Sequence, residues 1–116
     1  MGIVLALVDD IFFQARISAT AKQVGVELKM FGAPDSLVAA AAVGGELIVI
    51  DLNARADAIG ALDQLCEAGN QTPVIAFLSH VQTELAERAR AAGCTEVMPR
   101  SRFTQDLAAI LGRAKK

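Results

Sequence analysis

Residues 46–55 read ELIVIDLNAR, and within them Leu47, Ile48, Val49 and Ile50 form an unbroken apolar run that stops at the carboxylate of Asp51. A strand covered on both faces has this composition, because side chains pointing either way meet a packed layer. Asp51 is therefore expected at the mouth of a buried parallel strand. Two further runs repeat the pattern: residues 3–8 end in Asp9 and Asp10, and residues 74–78 end in Ser79 and His80. If the three strands are parallel neighbours, their polar ends share one edge, the crevice where open α/β sheets place ligands.

The segments between these runs read as helices. Over residues 11–24, Phe13, Ile17, Ala21 and Val24 recur at helical spacing before a stop at Gly25. Residues 26–30 alternate, with Val26, Leu28 and Met30 set against Glu27 and Lys29, as in a strand with one wet face at a sheet edge. Pro34 suits the first turn of a short helix ending before Gly44-Gly45. Residues 57–68 carry the stripe Ile59, Leu62 and Leu65 or Cys66, with Cys66 expected to pack as a small hydrophobe. Residues 81–92 form a charged helix with Leu85, Ala89 and Ala92 on one side, and Arg88 and Arg90 on a solvated face. A brief strand follows at residues 96–98. Ser101 to Thr104 offer hydroxyls to cap a last helix built on Phe103, Leu107, Ile110 and Leu111.

Five strands alternating with five helices predict a doubly wound, flavodoxin-like α/β fold with helices on both faces of a parallel sheet. The wet second strand and the short fifth belong at the edges, so the predicted order is 2-1-3-4-5. At 116 residues and 53% hydrophobic, residues 1–116 fit a single domain with a real core. A formal net charge of -2 supplies no basic field for nucleic acid. The apolar start is cut off by Asp9-Asp10 too early for a membrane span or a signal core. Two cysteines without metal-ligand spacing indicate a reduced, cytoplasmic setting, with Cys94 as a loop thiol of no special reactivity.

With those residues in place, the chain resembles, over essentially its whole length, the receiver domain of bacterial response regulators. The resemblance rests on the paired acids ending strand one, the lone Asp ending strand three, the hydroxyl ending strand four, and AGCTEVMPRSRF at residues 92–103. It implies a stand-alone receiver in two-component phosphorelay signalling, not an enzyme, with Asp51 as the phosphoacceptor. It also implies a magnesium ion held by Asp9, Asp10, Asp51 and the backbone carbonyl of Asn53, and phosphoryl contacts from Ser79 and from Arg100, which stands where the family has lysine. The implied partners are a sensor histidine kinase or phosphotransfer protein and a protein effector acting in trans, with no nucleic acid and no membrane.

The chemistry agrees with that set of residues. A carboxylate attacks another anion only if cations offset the charge and the reacting atoms are held in line. Clustered carboxylates and a carbonyl are hard oxygen ligands suited to magnesium. The chain also departs from the family. His80 follows the hydroxyl where a small residue is usual, which makes it a gate on access to Asp51. Ala54-Arg55 replaces a Met-Pro pair, and Val97 stands where an aromatic commonly reports activation. A guanidinium is wider and flatter than an ammonium and pairs readily with carboxylates. A phosphorylation-independent pseudo-receiver, acting as a constitutive interaction module, is the alternative reading. A phosphatase of the type that uses a strand-end Asp needs a second Asp two places on, and Ile11 stands two places after Asp9.

Overall fold

The computed structural model describes residues 2–55, 57–79 and 82–115. Five parallel strands, β1 (Ile3–Leu7), β2 (Glu27–Phe31), β3 (Leu47–Asp51), β4 (Val74–Leu78) and β5 (Glu96–Pro99), make one sheet in the expected order β2-β1-β3-β4-β5. β3 and β4 are buried along their whole length, while β2 is partly exposed at its edge. The continuous apolar runs therefore became inner strands, and the alternating one became an edge.

The pleat divides the core into two halves. Val4, Ala6, Val8, Val49, Ile75 and Phe77 pack on one side with α1 (Ile11–Val24), α5 (Arg100–Gln105) and α6 (Leu107–Gly112). Leu5, Leu7, Ile48, Ile50, Ala76 and Leu78 pack on the other with α2 (Pro34–Val43), α3 (Ala58–Glu67) and α4 (Thr83–Ala91). Register then brings the chemistry to one edge. Leu7 lies opposite Ile50, Asp51 opposite Phe77, and Leu78 opposite Pro99. The residues leaving β1, β3, β4 and β5 at this edge are those that lead to Asp9, Asp10, Asp51, Ser79 and Arg100.

The C-terminal segment differs from the single capped helix expected. It is two short helices meeting at Asp106, and α5 already begins at Arg100 with Pro99 before it and no side-chain cap. The Thr104 hydroxyl donates to the Arg100 carbonyl inside the helix, so it does not serve as a cap. The break keeps Phe103, Leu107, Ile110 and Leu111 all in the core. Cys66 is exposed and does not pack in the stripe, which Ala58, Ala61, Leu62 and Leu65 form instead. Cys94 is half-buried, and burial pushes its thiol up to about 12, so it stays protonated at neutral pH. None of the described helices is long and apolar enough to cross a membrane.

Gly2 supports a tight closure between the chain ends. It is buried, its carbonyl accepts from the Glu27 amide at 2.9 Å, and an added Cβ would overlap the Ala114 carbonyl oxygen. Gly2→Ala must move backbone, so it is expected to cost about 1–3 kcal/mol of unfolding free energy in a urea titration. An unchanged midpoint would mean that the termini do not pack this closely in solution.

Candidate functional site

Asp51 is the last residue of β3 and the one buried polar side chain among the described residues, with 2% exposure. Its Oδ1 accepts the Asn53 amide N–H at 2.9 Å, a contact made as the chain turns immediately after the strand. Its Oδ2 faces Arg100 Nη2 at 3.3 Å. The same guanidinium reaches Asp10 Oδ2 through Nη1 at 3.5 Å. Arg100 thus spans two carboxylates that leave different strands.

The arginine has a fitted seat. Its Cζ lies 4.8 Å from the Phe13 ring centroid and 5.6 Å from that of Phe77, both within cation–π range. Phe77 stacks on Phe103 at 4.4 Å and meets Phe13 edge-on at 5.2 Å. Phe13 projects from α1, Phe77 from β4 and Phe103 from α5, so the aromatic floor ties three elements to the site. Arg100 Nε is buried over this floor with no hydrogen-bond partner.

Asp10 does double duty. Its Oδ1 accepts the amides of Phe12 and Phe13 at 3.0 and 3.3 Å, capping α1, while Oδ2 takes the arginine. The Phe13 amide, followed by that of Phe12 and by Arg100, outweighs partial desolvation and holds the Asp10 carboxyl below its ordinary value. Asp51 goes the other way: burial raises its carboxyl, and the Asn53 amide and Arg100 only partly offset that.

The sign of the Asp51 effect is testable. A carboxyl raised in the folded state binds its proton to higher pH than in the unfolded chain, so its ionisation removes stability as pH rises through the raised value. Asp10 acts oppositely, stabilising above its ordinary value and losing that contribution as pH falls, but it is present in both parent and Asp51→Asn. The stability of the parent relative to Asp51→Asn is expected to fall as pH climbs out of the carboxylate range, followed by denaturation between about pH 3 and 8. Parallel curves would contradict a raised Asp51.

The remaining expected residues form a second ring. Asp9 is exposed, and its Oδ2 accepts the Arg55 amide at 2.7 Å. The Ser79 hydroxyl donates to Asn53 Oδ1 at 2.8 Å, and the Ser79 amide reaches the same oxygen at 2.6 Å. Asn53 Nδ2 in turn donates to Gln82 Oε1 at 2.9 Å. Asp10, Asp51 and Arg100 are therefore in direct contact, whereas Ser79 connects to Asp51 through Asn53. His80, expected as a gate, lies outside the described residues.

This arrangement does not fit a metal ion as it stands. The donors are hard oxygens of the right kind. Yet Asp10 Oδ1 caps a helix, Asp10 Oδ2 and Asp51 Oδ2 face Arg100, Asp51 Oδ1 holds the Asn53 amide, and Asp9 Oδ2 holds the Arg55 amide. Among the described residues, no group of three acidic, cysteine or histidine side chains is arranged to hold a metal.

Sequence reasoning did not find the Asn53 side chain, Gln82 or the aromatic floor. Phe13 carried a signal, since it falls three residues after Asp10 on the core face of α1. Gln82 carried none, because its contact with Asn53 joins residues 29 apart in the sequence.

No family model matches the sequence, and no curated protein matches it significantly. Solved structures do. The receiver domain of the Francisella response regulator 1452 is similar over 100% of both chains, at 21% identity and a TM-score of 0.82. The receiver domain of the sensor histidine kinase PA1611 from Pseudomonas aeruginosa, which has a magnesium ion coordinated in its active-site cleft, is similar over 98% of both chains at 20% identity and a TM-score of 0.82. NtrX from Brucella abortus matches 99% of this chain at 20% identity and a TM-score of 0.76, and this chain spans 28% of NtrX. The fold is that of response-regulator receiver domains.

Proposed function

We propose that the chain is a receiver-type signalling module in which Asp51 accepts a phosphoryl group. The observation that carries this reading is the placement of one buried carboxylate at the end of the central strand, with Asp9 and Asp10 from the neighbouring strand, Ser79 from the next, and Arg100 following the last. An Asp51 oxygen attacks phosphorus, the bond from phosphorus to the donor atom breaks, and the leaving group departs with its electron pair. Arg100 offers cationic N–H donors to the incoming phosphoryl oxygens, and Ser79 offers a hydroxyl once it turns from Asn53. Magnesium belongs to this reading as the cofactor that offsets charge. Its ligands would be Asp9, Asp10, Asp51 and the Asn53 carbonyl after Arg100 has left the acids.

The donor in this reading is a sensor histidine kinase or a phosphotransfer protein, and the recipient of the signal is another protein. Incubation with a small phosphodonor and magnesium is expected to add one phosphoryl group to the intact mass of the parent and none to Asp51→Asn. A label that survives in Asp51→Asn would remove Asp51 from the role. The arginine clasp across Asp10 and Asp51 favours a second reading, a constitutive interaction module that never takes phosphate. A parent that stays unlabelled while correctly folded would select it.

A further inference from the structure

We propose that Arg100 and a divalent cation compete for the same two carboxylate oxygens, so that the arginine acts as an internal latch on the acidic site. The inference rests on the receiver reading above. Nη1 and Nη2 of one rigid fork meet Asp10 Oδ2 and Asp51 Oδ2 at 3.5 and 3.3 Å, and these are the oxygens of the two acids not already held by backbone amides. A cation approaching both acids has to displace the guanidinium.

Two further observations make the latch a built contact. The guanidinium rests over Phe13 and Phe77, which limits where it can swing, and its Nε is buried in that seat. The clasp also leaves charge unsettled. Asp9, Asp10 and Asp51 carry three formal negative charges against the single positive charge of Arg100, a net of -2 when all are ionised. A divalent ion is thus attracted to the site but excluded from Asp10 Oδ2 and Asp51 Oδ2 while the arginine is in place. The planar fork directs a separate N–H donor at each carboxylate, whereas the three donors of a lysine ammonium diverge from a single nitrogen on a flexible stem. The arginine is therefore a competitor of metal as well as a counter-ion.

The affinity of a ligand for a site open only part of the time falls by the open fraction. Arg100→Gln removes the positive charge while retaining polarity and much of the length, and it is expected to bind magnesium at least about tenfold more tightly than the parent. In thermal unfolding with magnesium near ten times the dissociation constant of that variant, Arg100→Gln is expected to gain roughly 5 °C. The parent is expected to gain much less, and Arg100→Lys an intermediate amount. Adding Asp10→Asn to Arg100→Gln removes the gain. Equal magnesium affinity in parent and Arg100→Gln overturns the latch, as does the absence of any response in both. Should Arg100→Gln not fold, Arg100→Lys decides alone: tighter magnesium binding than the parent supports competition, and unchanged or weaker binding overturns it. No phosphodonor enters this experiment, so its outcome is separate from whether Asp51 takes phosphate.

Discussion

Phe103→Ala is expected to lower the unfolding free energy by about 3–5 kcal/mol, the range for removing a fully buried aromatic ring. The ring is completely buried, stacks on Phe77 at 4.4 Å and lies 5.9 Å from Phe13. It also sits one helical turn after Arg100 on α5, so its loss unsettles the floor under the guanidinium. The variant should therefore show a second change, tighter magnesium binding, as the arginine is held less firmly. Urea denaturation with and without magnesium measures both. A loss below about 1 kcal/mol would mean that the ring is not packed as described.

Ile48→Ala is expected to cost about 2–5 kcal/mol, because Ile48 is fully buried in β3 between Leu5 of β1 and Val74 of β4. It belongs to the opposite half of the core from Phe103. The sheet separates the two cavities, so the losses in the double variant should add to within about 0.5 kcal/mol. Ile48→Ala should leave the magnesium response unchanged, since Phe13, Phe77 and Phe103 under the arginine belong to the other half of the core. A strong coupling between the two would contradict the division of the core by the pleat.

The inner strands were legible because burial on both faces leaves only apolar residues, and a single charge at the end of such a run marks where the strand leaves the core. Asp51, Asp9-Asp10 and Ser79 were found in this way, and the order of strands followed from which runs were wettest or shortest. The last helix was misjudged because hydroxyls in its first turn look like caps, whereas Pro99 already sets the extended backbone that lets α5 begin at Arg100. Cys66 was misplaced because the α3 stripe is carried by Ala58, Ala61, Leu62 and Leu65, and a stripe read from large residues alone is shifted by one position. The clasp itself was open from sequence. Arg100 could be placed near the acids, but its seat over Phe13 and Phe77, which come from two other elements, leaves no local signature in the sequence.

The exposed surface beside the site also follows from this geometry. Ile11 and Phe12 begin α1 and are 69% and 83% exposed, because Asp10 must cap the helix and Phe13 must face the sheet, which turns its two predecessors outward. Phe12 therefore lies on the surface while Phe13 packs in the core.

The central claim is that the buried carboxylate of Asp51 is the phosphoryl acceptor, and chemical trapping of the acceptor tests it most directly. Borohydride reduces an acyl phosphate to an alcohol but leaves a free carboxylate intact, so peptide sequencing by mass spectrometry after labelling and reduction locates the acceptor. The expected result is homoserine at position 51 in the labelled parent, with Asp9 and Asp10 unchanged. Reduction at Asp9 or Asp10 with Asp51 intact, or no reduced residue in folded protein treated with phosphodonor and magnesium, would contradict it.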